Sequence, residues 1–549
     1  MNARLPIPTI WTTGSTASIK TGTWRAALAR HVRAPSPCHA ACPVGGEIAQ
    51  WIGQARAHDF RAAWETLTRH NPFPAIAGRI CHHPCESACN RDGFDEALAI
   101  CKLERFIGDH ALQHGWSYAA ADAQRSERIA VVGGGPSGLS AAFQLRRRGY
   151  QVTLVEAQPE LGGLMRYGIP PYRLAREVLD GEIERILALG VDVRCGQALA
   201  TEDDFARLRA GHDAVYLALG ASRPKRLPQL DYQRPWVVDG ANYLARCSRG
   251  SAPPLGRRVV VIGGGSAALD AARSARRAGH EVTILALEAE DRMPAQREEI
   301  IEAREEGITL LDSAMLRVAS EANDGALHLA CVRVNFEPGA QPGQFDVIAL
   351  DGSDFALLAD ALVSSIGQDL ELMPFGALEA QDALLKIDAH GATSVAGVWA
   401  GGDLASMARF VTEAISMGER AALAIDRQFG GDTPQALPEE ALVALTDINL
   451  HYHPVQVRPA EQRRPAAERQ AHSGEVQLGL AIEQALAETA RCFSCGTCTY
   501  CDNCITYCPD VAVQRTDAGY TVLADYCKGC GLCVKECPTG SMKMHEELR

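Results

Sequence analysis

The segment ARCFSCGTCTYCDNCITYCP, residues 490–509, places six cysteines in twenty positions. Cys498, Cys501, Cys504 and Cys508, the last followed by Pro509, fall in the C-x2-C-x2-C-x3-C-P register that wraps a chain around a four-iron cluster. No other choice among the six fits. Cys527, Cys530, Cys533 and Cys537-Pro538 repeat the register. In such paired runs the fourth cysteine of each serves the other cluster. Cys498, Cys501, Cys504 and Cys537 are therefore expected to hold one [4Fe-4S] cluster, and Cys527, Cys530, Cys533 and Cys508 a second. Zinc also uses paired C-x2-C segments, but three-cysteine runs closed by proline argue against it. Cys492 and Cys495 are left over.

A second chemistry is written in glycine. RIAVVGGGPSGLSAAFQLRRRGYQVTLVE (128–156) and RVVVIGGGSAALDAARSARRAGHEVTILALE (258–288) are two copies of strand, glycine turn, helix and strand. Such a unit lays a pyrophosphate on a helix N-terminus. Gly133 and Gly263 suit the tight turn, Gly135 and Gly265 the approach of backbone to phosphate, and Gly138 and Ala268 the packing of helix on strand. The competing reading, a glycine turn with no nucleotide, loses weight when two copies stand in one chain. Two nucleotide units in series usually mean one flavin and one nicotinamide. Glu156 ends the second strand of the first copy, where it can accept hydrogen bonds from a ribose. Downstream, GVWAGGDLASMARFVTEAISMGERAA (397–422) runs from a strand through Gly402 and Asp403 into a helix. An acid there suits a flavin's ribityl chain and phosphates, so the first copy and this return segment are expected to form one discontinuous FAD domain.

The elements that must carry these groups divide by composition. At 549 residues and 47% hydrophobic, the chain holds several cores. We expect a helical iron–sulfur domain over 1–125, an FAD domain over 126–240 and 362–430, and an NAD(H) domain over 241–361. A Pro-, Gln- and Arg-rich extended linker with a short helix follows over 431–490, then an α+β cluster-binding domain over 491–549. The fold class is thus multi-domain, with two Rossmann-like α/β units between a helical and an α+β domain. A net charge of −13 argues against nucleic acid. Residues 1–20 show no leader pattern and no run of about 18 apolar residues occurs, so no membrane span and a cytoplasmic location are expected. In that setting nineteen cysteines, most of them in two terminal groups, read as cluster ligands rather than disulfides. Cys195, Cys247 and Cys331 read as ordinary thiols, and His451 and His453 as polar linker residues.

The pieces CHAACPVGGEI, GRICHHPCESAC, ICKLERFIGD, VVGGGPSGLSAA, ELGGLMRYGIPPYRL, VIGGGSAALDAAR and RMPAQREE occur in order over residues 38 to about 430. Together they resemble the small (β) subunit of glutamate synthase, the flavin half of dihydropyrimidine dehydrogenase, and the large subunit of the bifurcating NADH-dependent ferredoxin:NADP oxidoreductase. The resemblance implies FAD at the first glycine turn, NAD(P)H at the second and clusters in the N-terminal helical domain. Relatives using NADPH tend to carry a tyrosine and two arginines after the second strand of the nicotinamide domain. Here Ala286-Leu287-Glu288 and Glu290 stand there, and a carboxylate would repel a 2′-phosphate and bind the free 2′-hydroxyl instead, which favours NADH. The alternative is a solvated Glu288, with arginines such as Arg292 doing the work.

The family's N-terminal domain usually begins with an RCxxCG segment, and residues 1–37 contain no cysteine. Cys38, Cys42, Cys81, Cys85, Cys89 and Glu104 match the remaining ligand positions, two short of what two four-iron clusters need. ARCFSCG (490–496) resembles the lost segment moved to the far end of the flavoprotein. The expected sets are Cys38, Cys89, Cys492 and Cys495 for one cluster, and Cys42, Cys81, Cys85 and Glu104 for another. The other reading leaves Cys492 and Cys495 as unligated thiols capping the tail.

The tail resembles the ferredoxin (δ) subunit of 2-oxoacid:acceptor oxidoreductases. Flavin alone among these groups exchanges both hydride and single electrons. The expected function is electron transfer between NADH, FAD, the N-terminal clusters and the tail, in either direction, within a hetero-oligomer. The partner would be the catalytic subunits of a 2-oxoacid oxidoreductase, or a ferredoxin. No catalytic acid or base is assigned. A glutamate synthase small subunit and a non-catalytic, cluster-bearing assembly subunit are the alternatives.

Overall fold

The computed structural model describes residues 20–321, 326–339, 344–371, 375–381, 384–431, 441–472, 474–517 and 519–547. The stretch read for a leader, apart from residue 20, and residues 432–440 of the expected linker lie outside the described residues.

Five short apolar strands build the first sheet. Their order is Val398–Ala400, Ala214–Leu217, Arg128–Val132, Gln151–Glu156 and Asp192–Cys195, all parallel. Ala214–Leu217 and Val398–Ala400 are buried at every position, as strands covered on both faces must be. The return strand comes from far along the chain, so this domain is discontinuous. Pro136 opens the helix Pro136–Arg147 at a position where no amide donor is needed. The return helix Val411–Gln428 crosses it so closely that a Cβ on Gly418 would lie 2.2 Å from the Ser137 carbonyl.

The inserted sheet runs Thr309–Leu311, Glu281–Leu285, Arg258–Ile262, Ala361–Ser364 and Val237–Asp239, again parallel. An antiparallel meander, Ala314–Glu321, Leu327–Pro338 and Phe345–Ala359, extends from it. Val237–Asp239 and Ala361–Ser364 place both edges of the insertion a few residues outside 241–361. The two chain crossings pair with each other instead, Arg223–Pro224 against Gln368–Asp369. The apolar run WVV was too short to mark an edge strand.

The N-terminal domain is helical, and its tightest crossing joins Pro74–Ile80 to Ile100–Gln113. A Cβ on Gly108 would lie 2.2 Å from the Ala75 backbone nitrogen, and one on Gly78 2.3 Å from that of Arg105. Backbone cannot yield as a flexible side chain can. Gly108→Ala should cost at least ~1–3 kcal/mol, read as a lowered urea midpoint at unchanged slope.

Two expectations fail here. Residues 20–31 do not belong to the helical domain: Ala27–His31 pairs antiparallel with Met542–Glu546, joining the two ends of the chain. Arg25 Nε then reaches Glu547 Oε2 at 2.6 Å. Nor is the segment from 441 to 480 a free linker. It is a strap bound across the molecule by ion pairs, with Arg458 on Glu86 (2.6 Å), Glu461 on Lys102 (2.8 Å), Glu475 on Arg79 (2.7 Å) and Arg469 on Glu305 (2.8 Å). Charged residues of the expected linker thus meet counter-charges from distant domains. The strap ends in the helix Ile482–Arg491, whose Glu488 and Arg491 are buried and paired at 2.9 Å.

The tail carries two one-turn helices, Asn503–Thr506 and Leu532–Lys535, and the hairpin Val513–Thr516 with Gly519–Val522. Among the described residues, no helix is long and apolar enough to cross a membrane.

Candidate active site and cluster sites

At the first glycine turn, Gly133 adopts φ +106°, and a Cβ there would lie 2.2 Å from the Ala218 carbonyl. A Cβ on Gly138 would lie 1.9 Å from the Gly133 carbonyl, so the protein's own packing requires both. Gly135 differs: the nearest atom to its missing Cβ is 3.9 Å away, which leaves that backbone open to a ligand. The second turn repeats the pattern: a Cβ on Gly263 would lie 2.3 Å from the Ser365 carbonyl, and one on Gly265 would meet nothing within 4 Å. Ala268 is fully buried beneath it. Both turns fit a pyrophosphate.

Each turn is met by an acid. Glu156 is buried, accepting from the Gly134 N–H at 2.6 Å and from the Gln158 N–H at 2.7 Å, which orients its carboxylate. A Cβ on Gly134 would lie 3.1 Å from Glu156 Oε2, and one on Gly264 2.6 Å from Glu288 Oε2. The two carboxylates thus take equivalent places, although Glu288 stands beyond its strand Glu281–Leu285 rather than at its end. Burial pushes the Glu288 carboxyl up. Arg292 is exposed.

Between the two units lies a cavity of about 260 Å³. Pro136, Asp403 and Phe410 line it from the first unit, Ser266 from the second, and Ile80 and His82 from the helical domain. Gly402 turns at φ +70° just before Asp403, whose carboxyl is pushed up by burial and drawn down by Arg409. Arg173 of the first unit reaches Asp270 of the second at 2.6 Å and also pairs with Glu299. Beside it, Tyr172 lies under Arg273 and Arg277, 4.8 and 4.1 Å from its ring centre. The relative placement of the two nucleotide turns is therefore held by buried charge.

The cavity adjoins the cysteines. Cys81 lies between Ile80 and His82, its Sγ 3.8 Å from the Thr412 hydroxyl at the start of the return helix. Burial pushes the Cys81 thiol up to about 12, with Glu104 and Cys42 beside it acting the same way. Burial also raises Cys85, and Cys42, Cys81 and Glu104 add to it. Glu104 is pushed up to about 7 by burial while the Asn71 side chain donates to it at 2.7 Å. These four groups come together. One helical turn from Cys42, burial pushes Cys38 up to about 12, opposed by the Ser36 hydroxyl and reinforced by Cys492 and Cys89. Cys495 is raised by burial first, then by Cys492, Cys38 and Cys89. The tail cysteines at 492 and 495 thus sit among the N-terminal ones, and Asn90 Nδ2 is 3.5 Å from Cys495 Sγ.

In the tail, burial pushes Cys504 up to about 12, followed by Cys498, Cys501 and Cys537. Cys533 rises to about 11 through burial, then Cys508, Cys527 and Cys530. Cys501 and Cys530 are exposed. Crowded, buried thiols resist losing protons unless a cationic group offsets the charge, which is the environment iron provides. Among the described residues, no three His, Cys, Asp or Glu are arranged to hold a single metal ion. Cys101 is buried against the Ala77 carbonyl, and Cys195, Cys247 and Cys331 stand in none of these groups. His453 bridges strap and tail through the Pro538 carbonyl at 2.9 Å. Sequence reasoning missed Asn71, Asn90 and Arg173, polar residues whose partners lie far off in the chain or in another domain.

Comparison with known proteins agrees with this layout. Residues 127–418 match the pyridine nucleotide-disulphide oxidoreductase model, 29–116 match dihydropyrimidine dehydrogenase domain II, 4Fe-4S cluster, and 520–543 match a 4Fe-4S binding domain. The chain is 32% identical over 499 residues to the NADP(+)-dependent formate dehydrogenase subunit beta of Moorella thermoacetica, covering 84% of this chain and 70% of that one. It is 30% identical to the NADPH-Fe(3+) oxidoreductase subunit beta of Geobacter sulfurreducens (84% and 75%). It is also 30% identical to the NAD-dependent dihydropyrimidine dehydrogenase subunit PreT of Escherichia coli (72% and 92%). The chain belongs to the pyridine nucleotide-disulphide oxidoreductase family, as an NAD(P)-linked flavin and iron–sulfur oxidoreductase subunit.

Proposed function

We propose that this chain carries electrons between a nicotinamide nucleotide and a partner subunit, through a row of sites running from the interdomain cavity to the exposed tail. One observation carries the reading: fifteen of the nineteen cysteines, with Glu104, fall into four groups, and successive groups adjoin. Cys81 borders the cavity, Cys38 and Cys42 share a helical turn, and Cys495 stands three residues from Cys498. FAD, when bound, supplies exchange between hydride and single electrons, and [4Fe-4S] clusters supply one-electron transfer.

Gly135 and Gly402 would hold FAD with Glu156 and Asp403, and Gly265 with Glu288 would hold the nicotinamide nucleotide. Cys42, Cys81, Cys85 and Glu104 would hold the cluster nearest the cavity, Cys38, Cys89, Cys492 and Cys495 the next. The chain's own work is positional. Arg173 fixes the two nucleotide turns relative to each other, and the strap fixes the helical domain against both. The inserted domain over about 241–361 is read as the nicotinamide domain on the same basis.

The carboxylate at the second turn supports NADH as the preferred nucleotide. Glu288→Ala should raise the NADPH-to-NADH ratio of kcat/KM at least ~10-fold, about 1.4 kcal/mol, measured with a one-electron dye as acceptor. An unchanged ratio would assign the preference elsewhere. As partner we favour a 2-oxoacid oxidoreductase, on the resemblance of the tail. The similar formate dehydrogenase and Fe(3+) oxidoreductase subunits support a multi-subunit assembly of wider choice. Affinity purification of the full chain from its own cells, under anaerobic conditions, tests this. A co-purifying 2-oxoacid enzyme supports that partner, and a formate-oxidising one overturns it.

A further inference from the structure

The strand Ala27–His31 brings a histidine from the start of the chain into its far end. His31 pairs in register with Met542, and its ring stands edge-on to Tyr520, with centroids 5.5 Å apart. Gly519, at φ +122°, makes room for it: a Cβ there would lie 2.4 Å from the His31 ring. Cys498, Cys501, Cys504 and Cys537 surround a small space of about 20 Å³, and His31 is part of its wall.

One hydrogen bond assigns the ring's tautomer. The Tyr520 backbone N–H donates to His31 Nδ1 at 3.4 Å, so Nδ1 is an acceptor and the ring proton sits on Nε2. Nε2 is buried and has no hydrogen-bond partner among the described residues. A buried donor without an acceptor costs ~1–3 kcal/mol, so its persistence calls for a partner that the protein alone does not supply.

We infer that His31 Nε2–H donates a hydrogen bond into the cluster site formed by Cys498, Cys501, Cys504 and Cys537, and so sets that cluster's reduction potential. The inference rests on the proposed reading of those cysteines as [4Fe-4S] ligands. Reduction adds one negative charge to a cluster, and a donor aimed at its sulfur favours the more negative state. The N-terminal strand would then be a tuning element for the tail as well as a clasp. A merely structural histidine would leave the potential where it is.

The test is an EPR-monitored redox titration of the anaerobically purified full chain. His31→Leu should lower the potential of one tail cluster, making its reduction about tenfold less favourable, ~59 mV for a one-electron couple. The other clusters should not move. His31→Gln keeps an amide donor and should stay close to the parent value. In the parent chain labelled with 15N-histidine, pulsed EPR should detect coupling between an imidazole nitrogen and the reduced tail cluster, with no substitution needed. An unmoved potential in His31→Leu, equal shifts in both variants, or no histidine coupling would overturn the inference while leaving the ligand reading intact. A parent tail without iron would overturn both.

Discussion

Serine at both 492 and 495 is expected to remove one cluster's worth of iron and to disconnect the tail from NAD(P)H. The two sulfurs stand with Cys38 and Cys89, and serine oxygen is a poor replacement for thiolate at iron. The double substitution should not unfold the molecule, because the tail is held there by other means. Arg491, just before Cys492, reaches Asp95 at 3.0 Å and Glu488 at 2.9 Å, while Arg91 donates to the Arg491 carbonyl. Reduction of the flavin by NAD(P)H should survive, and dithionite should still produce both tail-cluster signals. NAD(P)H-driven reduction of those signals should be lost. If every signal and the iron content persisted, Cys492 and Cys495 would be unligated thiols.

Arg173→Ala should be the most damaging single change outside the cysteines. Arg173 is half-buried and stands between Asp270 and Glu299, both of them buried. Removing the cation leaves two buried carboxylates without their shared partner, an effect of ~3–5 kcal/mol. Burial pushes the Asp270 carboxyl up and Arg173 draws it down, so the variant's Asp270 rises further. The folded variant then holds a proton that the unfolded chain releases. Its stability is therefore lost as pH rises from the ordinary carboxylate range through the raised value. Urea unfolding at several pH values reads both effects. Because Arg173 also joins the two nucleotide units, flavin reduction by NAD(P)H should slow in stopped-flow mixing, even at pH values where the variant stays folded.

What the sequence reveals is chemistry that dictates its own spacing. The paired cysteine runs and the two glycine turns are legible because cluster and pyrophosphate each demand fixed offsets along a short stretch. The position of Cys492 and Cys495 beside Cys38 and Cys89 was legible only through the family resemblance, in which ARCFSCG matches a segment missing from residues 1–37. Ala27–His31 was not, since ALARH has no alternation and its partner strand lies more than five hundred residues away. The strap was misread for a related reason. Arg458, Glu461, Arg469 and Glu475 lie in text that reads as an extended linker, and their partners Glu86, Lys102, Glu305 and Arg79 stand far off in the chain. Glu288 was singled out by its departure from the arginine-bearing pattern of NADPH-using relatives, yet its alignment with Glu156 emerges only when both carboxylates fold back onto their turns.

Both ends of the chain are proposed to build one continuous row of redox sites beside a flavin. The most direct test of that row is the FAD, iron and sulfide content of the full chain purified without oxygen. The expected result is one FAD and about sixteen irons per chain, matched by sulfide, as four four-iron clusters require. Iron for the two tail clusters alone, or a chain without flavin, would contradict it.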